Sequence, residues 1–110
     1  MIGLKLYLLQ RISAALLAML VMGHIGMILY AMQAGYTSQD ILSRTQGSIF
    51  WFLYYALFVL AASVHGSIGL RVIASEWLNI PRFCLSTFTA LAGVGFFYLG
   101  IRAVIAVTLP

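Results

Sequence analysis

Three stretches of this chain, residues 12–34, 48–74 and 83–107, are long enough and apolar enough to cross a bilayer as helices. Crossing hydrocarbon takes about 20 apolar residues in a helix, because no water is there to satisfy the backbone. The composition agrees. Of 110 residues, 64% are hydrophobic and 7% charged, where a soluble domain carries roughly 25% charged residues. A soluble enzyme and a disordered tail are both excluded, and the expected class is an all-α membrane protein with three transmembrane helices in one domain spanning 1–110. A net charge of +4 from six basic and two acidic residues is spread too thinly for a nucleic-acid surface. The lone Cys84 offers neither an intrachain disulfide nor a thiolate cluster. The first stretch is too long for the apolar region of a signal peptide and lacks an A-x-A site, so it is expected to be retained.

Polar residues separate the stretches and orient them. The run from Gly35 to Asp40 and on through Arg44 to Gly47 divides the first two, and Glu76 to Arg82, with Pro81 as a helix stop or start, divides the last two. Lys5, Arg11, Arg71 and Arg82 flank one side, whereas the first loop holds only Arg44, offset by Asp40. The excess of basic residues places the N-terminus and second loop in the cytoplasm and the C-terminus outside. Arg102, near the end of the third stretch, snorkels toward the far side. Small residues on the first helix (Ala14, Ala15, Ala18, Gly23, Gly26) and the third (Ala90, Ala92, Gly93, Gly95) allow close approach of neighbouring helices. Three helices enclose little, so the chain is expected to form half of a larger bundle completed by a partner.

Ionisable groups within spans are expensive and mark function. The two histidines of the chain, His24 and His65, both lie inside apolar stretches and both sit among glycines, in Gly23-His24-Ile25-Gly26 and His65-Gly66-Ser67-Ile68-Gly69. A porphyrin needs bare backbone beside its ligand. Gly69 lies on the same face as His65, about 40° away and one turn toward the cytoplasm. Imidazoles as axial ligands suit haem iron. Taking Arg11 and Arg71 as the cytoplasmic border, His24 lies about 20 Å deep and His65 about 9 Å. A difference of about 10 Å is too large for the two ligands of one iron. Either two haems sit at two levels, each completed by a partner chain, or only one histidine is a ligand. At the border, Arg11 and Arg71 are at the level to pair with haem propionates. Glu76 and Trp77 follow His65 by three turns, with Glu76 within about 20° of its face, and Ser13 stands in the same relation to His24.

The stretch His65-Gly66-Ser67-Ile68-Gly69-Leu70-Arg71 followed by Glu76-Trp77 resembles the second helix of succinate dehydrogenase and fumarate reductase membrane anchors. That family has His, Gly four later, Arg six later, and an acid eleven later followed by an aromatic. Leu9-Gln10-Arg11-Ile12-Ser13-Ala14 is similar to the family's first-helix opening, with Gln10 where His is common and Ala14 where Gly is usual. The resemblance implies a haem b-binding anchor without its own catalytic centre. It implies as partners a flavoprotein subunit, an iron–sulfur subunit, a second membrane anchor subunit and quinone; the short chain, without a visible Arg- and Ser-rich transit segment, points to a bacterial plasma membrane. It implies His65 as the proximal haem ligand and His24 as the distal ligand of two-haem branches, with Gly69 giving porphyrin clearance and Arg11 and Arg71 facing propionates. Arg11, Ser13, Glu76 and Trp77 fall at quinone-site positions, although Glu76-Trp77 replaces an Asp-Tyr pair. The reading of a different class is a small transporter or channel subunit whose histidines relay protons without haem.

Overall fold

The computed structural model describes residues 2–109 as four helices: α1 (Ile2–Ala34), α2 (Ser38–Thr45), α3 (Ile49–Trp77) and α4 (Arg82–Thr108). The three long ones are the membrane-spanning elements expected from the sequence. Being three, they leave the two ends of the chain on opposite faces of the bilayer. α3 ends at Trp77, past the expected 74, α4 is one residue longer at each end, and α1 starts ten residues before Ile12 while ending at Ala34 as expected. Hydrophobicity marks only the part of a helix inside hydrocarbon, about 30 Å. Nothing between Ile2 and Ile12 breaks a helix, so α1 continues through Lys5 and Arg11 for 33 residues, or about 50 Å. That matches the 50 Å long axis of the molecule.

The first loop is more ordered than its polar composition suggested. Gly35, at φ +73°, ends α1 with the two backbone bonds of a Schellman turn, from Gly35 to Met32 and from Tyr36 to Ala31. Thr37 and Asp40 then form a reciprocal capping box: the Thr37 hydroxyl accepts from the Asp40 N–H, and the Asp40 carboxylate accepts from the Thr37 N–H at 2.8 Å. These bonds, with Arg44 nearby, hold the Asp40 carboxyl below the usual carboxylate range. The result is the eight-residue α2, whose end is tied to α4. The Thr45 hydroxyl donates to the Val107 carbonyl and the Gly47 N–H to that of Thr108, both at 2.7 Å. Pro81 does open a helix, capping α4 with φ −58°.

α3 is central. It packs along α4 over most of its length and against α1 on another side, while α1 and α4 touch little. Glycines set the closest approaches. A Cβ on Gly100 of α4 would lie 2.5 Å from a Val59 methyl on α3, and one on Gly23 of α1 would lie 2.9 Å from the Tyr54 hydroxyl. The antiparallel register of α1 and α3 can be read from two contacts. Gln10 lies beside Gly69, and His24 beside Tyr55, fourteen residues farther along α1 and fourteen back along α3. Outside these seams, Met19 and Met22 of α1 and Leu91 and Val94 of α4 are exposed, as suits helices facing lipid or other spans.

Val59 has little rotamer freedom within a helix, so it cannot yield to a side chain at Gly100. Gly100→Ala is therefore expected to cost about 1–3 kcal/mol by overpacking, outweighing the ~1 kcal/mol gained in helix propensity. Thermal denaturation of the detergent-solubilised protein measures the balance.

Candidate functional site

His65 lies on α3 one turn before Gly69, close to the face that Gly69 presents to α1. It is half-buried, and its Nδ1 is enclosed with no hydrogen-bond partner. One turn farther along the same face, Gly69 meets the Gln10 side chain, whose Nε2 lies 3.6 Å from where a Cβ would stand. The Gln10 Oε1 is likewise buried and unpaired. A buried polar atom left this way costs about 1–3 kcal/mol. Ser13, on the next turn of α1, is buried, and its hydroxyl donates to the Gln10 carbonyl at 3.1 Å. The bare backbone at Gly69 is thus faced by an amide of this same chain. The other glycine beside His65, Gly66, abuts the Phe96 ring of α4.

His24 lies at the opposite end of the α1–α3 seam. Its Nδ1 is 3.4 Å from the Tyr55 hydroxyl, and its ring meets Tyr55 and Phe58 edge-on with centroids 5.7 Å away. Two adjoining cavities open beside it. One, of about 420 Å³, lies between His24, Tyr55 and Phe58, Thr45 of α2, and Gly100 and Val104 of α4. The other, of about 480 Å³, shares His24, Thr45 and Tyr55 and adds Arg44, Tyr36 and Trp51. Arg44 is held over the Tyr36 ring at 4.3 Å, which brings one positive charge to the rim of an otherwise apolar space.

The register sets the separation of the two imidazoles. His65, four residues from Gly69, is level with Ala14 on α1, about ten residues or 15 Å from His24. The border arithmetic had placed them about 10 Å apart. The difference arises because Arg11 and Arg71 are not level: Arg11 stands opposite Ile68, so Arg71 lies about three residues, or 4.5 Å, nearer the N-terminal face. Axial ligands of a single iron straddle one atom, and this spacing does not permit that.

The border residues are less gathered. Arg71 turns toward α4, where its guanidinium donates to the Ser86 hydroxyl at 3.2 Å. With Ser75, Arg82, Leu6 and Leu85 it lines a cavity of about 710 Å³ at the N-terminal face. Arg11 is exposed and lies 5.7 Å from the Tyr7 ring. α3 does extend to Glu76 and Trp77, as their spacing from His65 required, but both are exposed, Trp77 at 81%. The structure therefore brings Gln10, Ser13 and Gly69 together one turn from His65, lines one cavity with Arg71 and Arg82, and leaves Arg11, Glu76 and Trp77 on the outside.

Tyr55, Arg44 and Gln10 were not singled out from the sequence as site residues. Tyr55 lies in the aromatic run from Phe50 to Tyr55, a pattern that also marks a headgroup belt. Arg44 was visible only as a charge in a polar loop. Gln10 showed as a departure from a motif. Among the described residues no three His, Cys, Asp or Glu side chains gather as a metal cluster; a haem asks for one imidazole per axial position.

No curated protein and no solved structure matches the chain significantly. Residues 1–101 match the family described as succinate dehydrogenase/fumarate reductase transmembrane subunit, so most of all three spans, both histidines and the two border motifs lie within the match. The chain belongs to the succinate dehydrogenase/fumarate reductase transmembrane subunit family.

Proposed function

We propose that this chain is a haem b-binding membrane anchor of a succinate:quinone oxidoreductase, holding flavoprotein and iron–sulfur subunits on a bacterial plasma membrane beside a second anchor. The observation that carries the haem reading is the placement of its two histidines. Each is half-buried, His24 with its Nδ1 at the Tyr55 hydroxyl of the facing helix and His65 with a buried Nδ1 that has no partner, and they stand about 15 Å apart along the axis. Both sites fit a haem on their donor chemistry: a neutral imidazole has one nitrogen to direct inward and one to give to iron. A bound b haem supplies a reversible one-electron centre. The chain's own work is to supply one axial ligand at each of two levels, to enclose the ring edges in apolar side chains, and to place positive charge near the propionates. Arg11 and Arg71 are at the N-terminal border for the His65 level. The exposed apolar faces of α1 and α4 give a second anchor the surface on which to complete each site.

Quinone would react near the same border, where the iron–sulfur subunit docks. Its reduction takes two electrons and two protons. Glu76, exposed at the end of α3, is in contact with water and can pass a proton inward. Trp77 beside it has an indole N–H to donate, and Arg11 and Ser13 complete the set of quinone-side residues on α1. The second cavity system, at His24, lies on the other side of the bilayer and belongs to the distal ligand.

The test is haem quantitation and a reduced-minus-oxidised spectrum of the purified complex for wild type, His24→Ala and His65→Ala. Two b haems in wild type, with a different one disturbed in each variant, is the expected result. One haem lost only with His65 would reduce His24 to a structural residue, and no haem would overturn the haem reading altogether. Glu76→Gln is expected to slow quinone turnover by about 10²-fold or more, with haem content intact. Unchanged turnover would remove Glu76 from the proton path.

A further inference from the structure

Among the described residues, the two buried side-chain atoms without a hydrogen-bond partner are Gln10 Oε1 and His65 Nδ1, and the Gln10 amide lies beside Gly69, one turn along α3 from His65. We propose that Gln10 is a positioning residue for His65: its amide oxygen accepts the Nδ1 proton, which fixes the tautomer and leaves Nε2 bare for a haem iron. The inference rests on the haem reading above.

The geometry brings the two groups within one helical turn. The Gln10 amide touches the backbone at Gly69, with Nε2 3.6 Å from the site of a Cβ. His65 is one turn away on that face of α3. A Cβ at position 69 would stand in van der Waals contact with this amide. Rotation about the last side-chain bond of Gln10 exchanges Oε1 and Nε2, so either end can be presented.

Only one tautomer leaves the ring Nε2 open to a metal. A neutral imidazole has one N–H and one lone pair. If Nδ1 carries the proton, an orphan donor faces an orphan acceptor, and Nε2 is free for a metal. In the opposite tautomer the amide could turn its NH2 toward Nδ1, but the ring Nε2 would then carry the proton and be closed to iron. Other groups at this level are committed elsewhere. The Ser13 hydroxyl donates to the Gln10 carbonyl, and Phe96 fills the side toward α4. No carboxylate of the chain is near: Asp40 lies in the first loop and Glu76 three turns away. A glutamine supplies the acceptor without the cost of burying a charge. His24 shows the same arrangement, with the Tyr55 hydroxyl of the facing helix at its Nδ1. With Gln10 as acceptor, each imidazole would be addressed at the same atom from across the seam, as metal-binding histidines generally are.

An acceptor on Nδ1 raises the basicity of the ligating nitrogen and favours ferric iron. Redox titration of the haem spectrum in the whole complex reads this directly. Gln10→Leu removes the acceptor and is expected to raise the midpoint potential of one haem component. Gln10→Glu supplies a stronger acceptor and is expected to lower it, with the other component unmoved in both. Should the leucine variant fail to assemble, the shift in the glutamate variant decides. Haem present with potentials unchanged in the assembled variants would overturn the role of Gln10. A wild-type complex without b haem would fail at the earlier reading, and this inference would fall with it.

Discussion

A chain in hydrocarbon must satisfy its backbone hydrogen bonds by itself, and the rest of this structure follows from how that is done. Three helices of 27 to 33 residues meet the requirement, but they leave side chains as the only means of holding one helix to another. With no hydrophobic drive between apolar helices in lipid, contact depends on close packing. α3 is joined to both neighbours because Gly23 and Gly100 admit Tyr54 and Val59 at distances no larger residue allows. The α1–α3 seam is thereby fixed in register along at least fourteen residues, and that register decides what each histidine meets.

A polar group in such a seam must find a partner within protein. His24 has Tyr55; His65 and Gln10 each have a buried unpaired atom, one helical turn apart along the seam. Placing two imidazoles in one seam at different heights is costly for a chain that only anchors. It is economical for one that offers each ring to a neighbour on its open side. Separation along the axis also keeps the two positions chemically distinct. One lies near the face carrying Arg11, Arg71 and Arg82, the other beside a largely apolar space with Arg44 at its rim. Positive charge and burial are the means by which a protein sets the potential of a bound haem.

The three spans were legible because hydrophobic length is a one-dimensional property, and the family motif was legible because His65, Gly69, Arg71 and Glu76 stand at fixed intervals on one helix. Contacts between helices were not. That Arg71 bonds Ser86, fifteen residues away across a loop, depends on the rotation of α4, which no spacing reveals. The separation of His65 and His24 along the axis was underestimated because two arginines at a border need not be level. α2 had a visible signal, Thr37 three residues before Asp40, but a short polar helix has too little periodicity to stand out from a loop. Gln10 appeared only as an exception to a motif. Its burial, and the unpaired nitrogen near it, required the fold.

The central claim is that one chain supplies axial ligands at two levels. Haem quantitation with a redox titration of the purified wild-type complex tests it most directly. Two b haems per pair of anchors, titrating as separate components, is the result expected here. A single component with one haem, or the absence of haem, would contradict it.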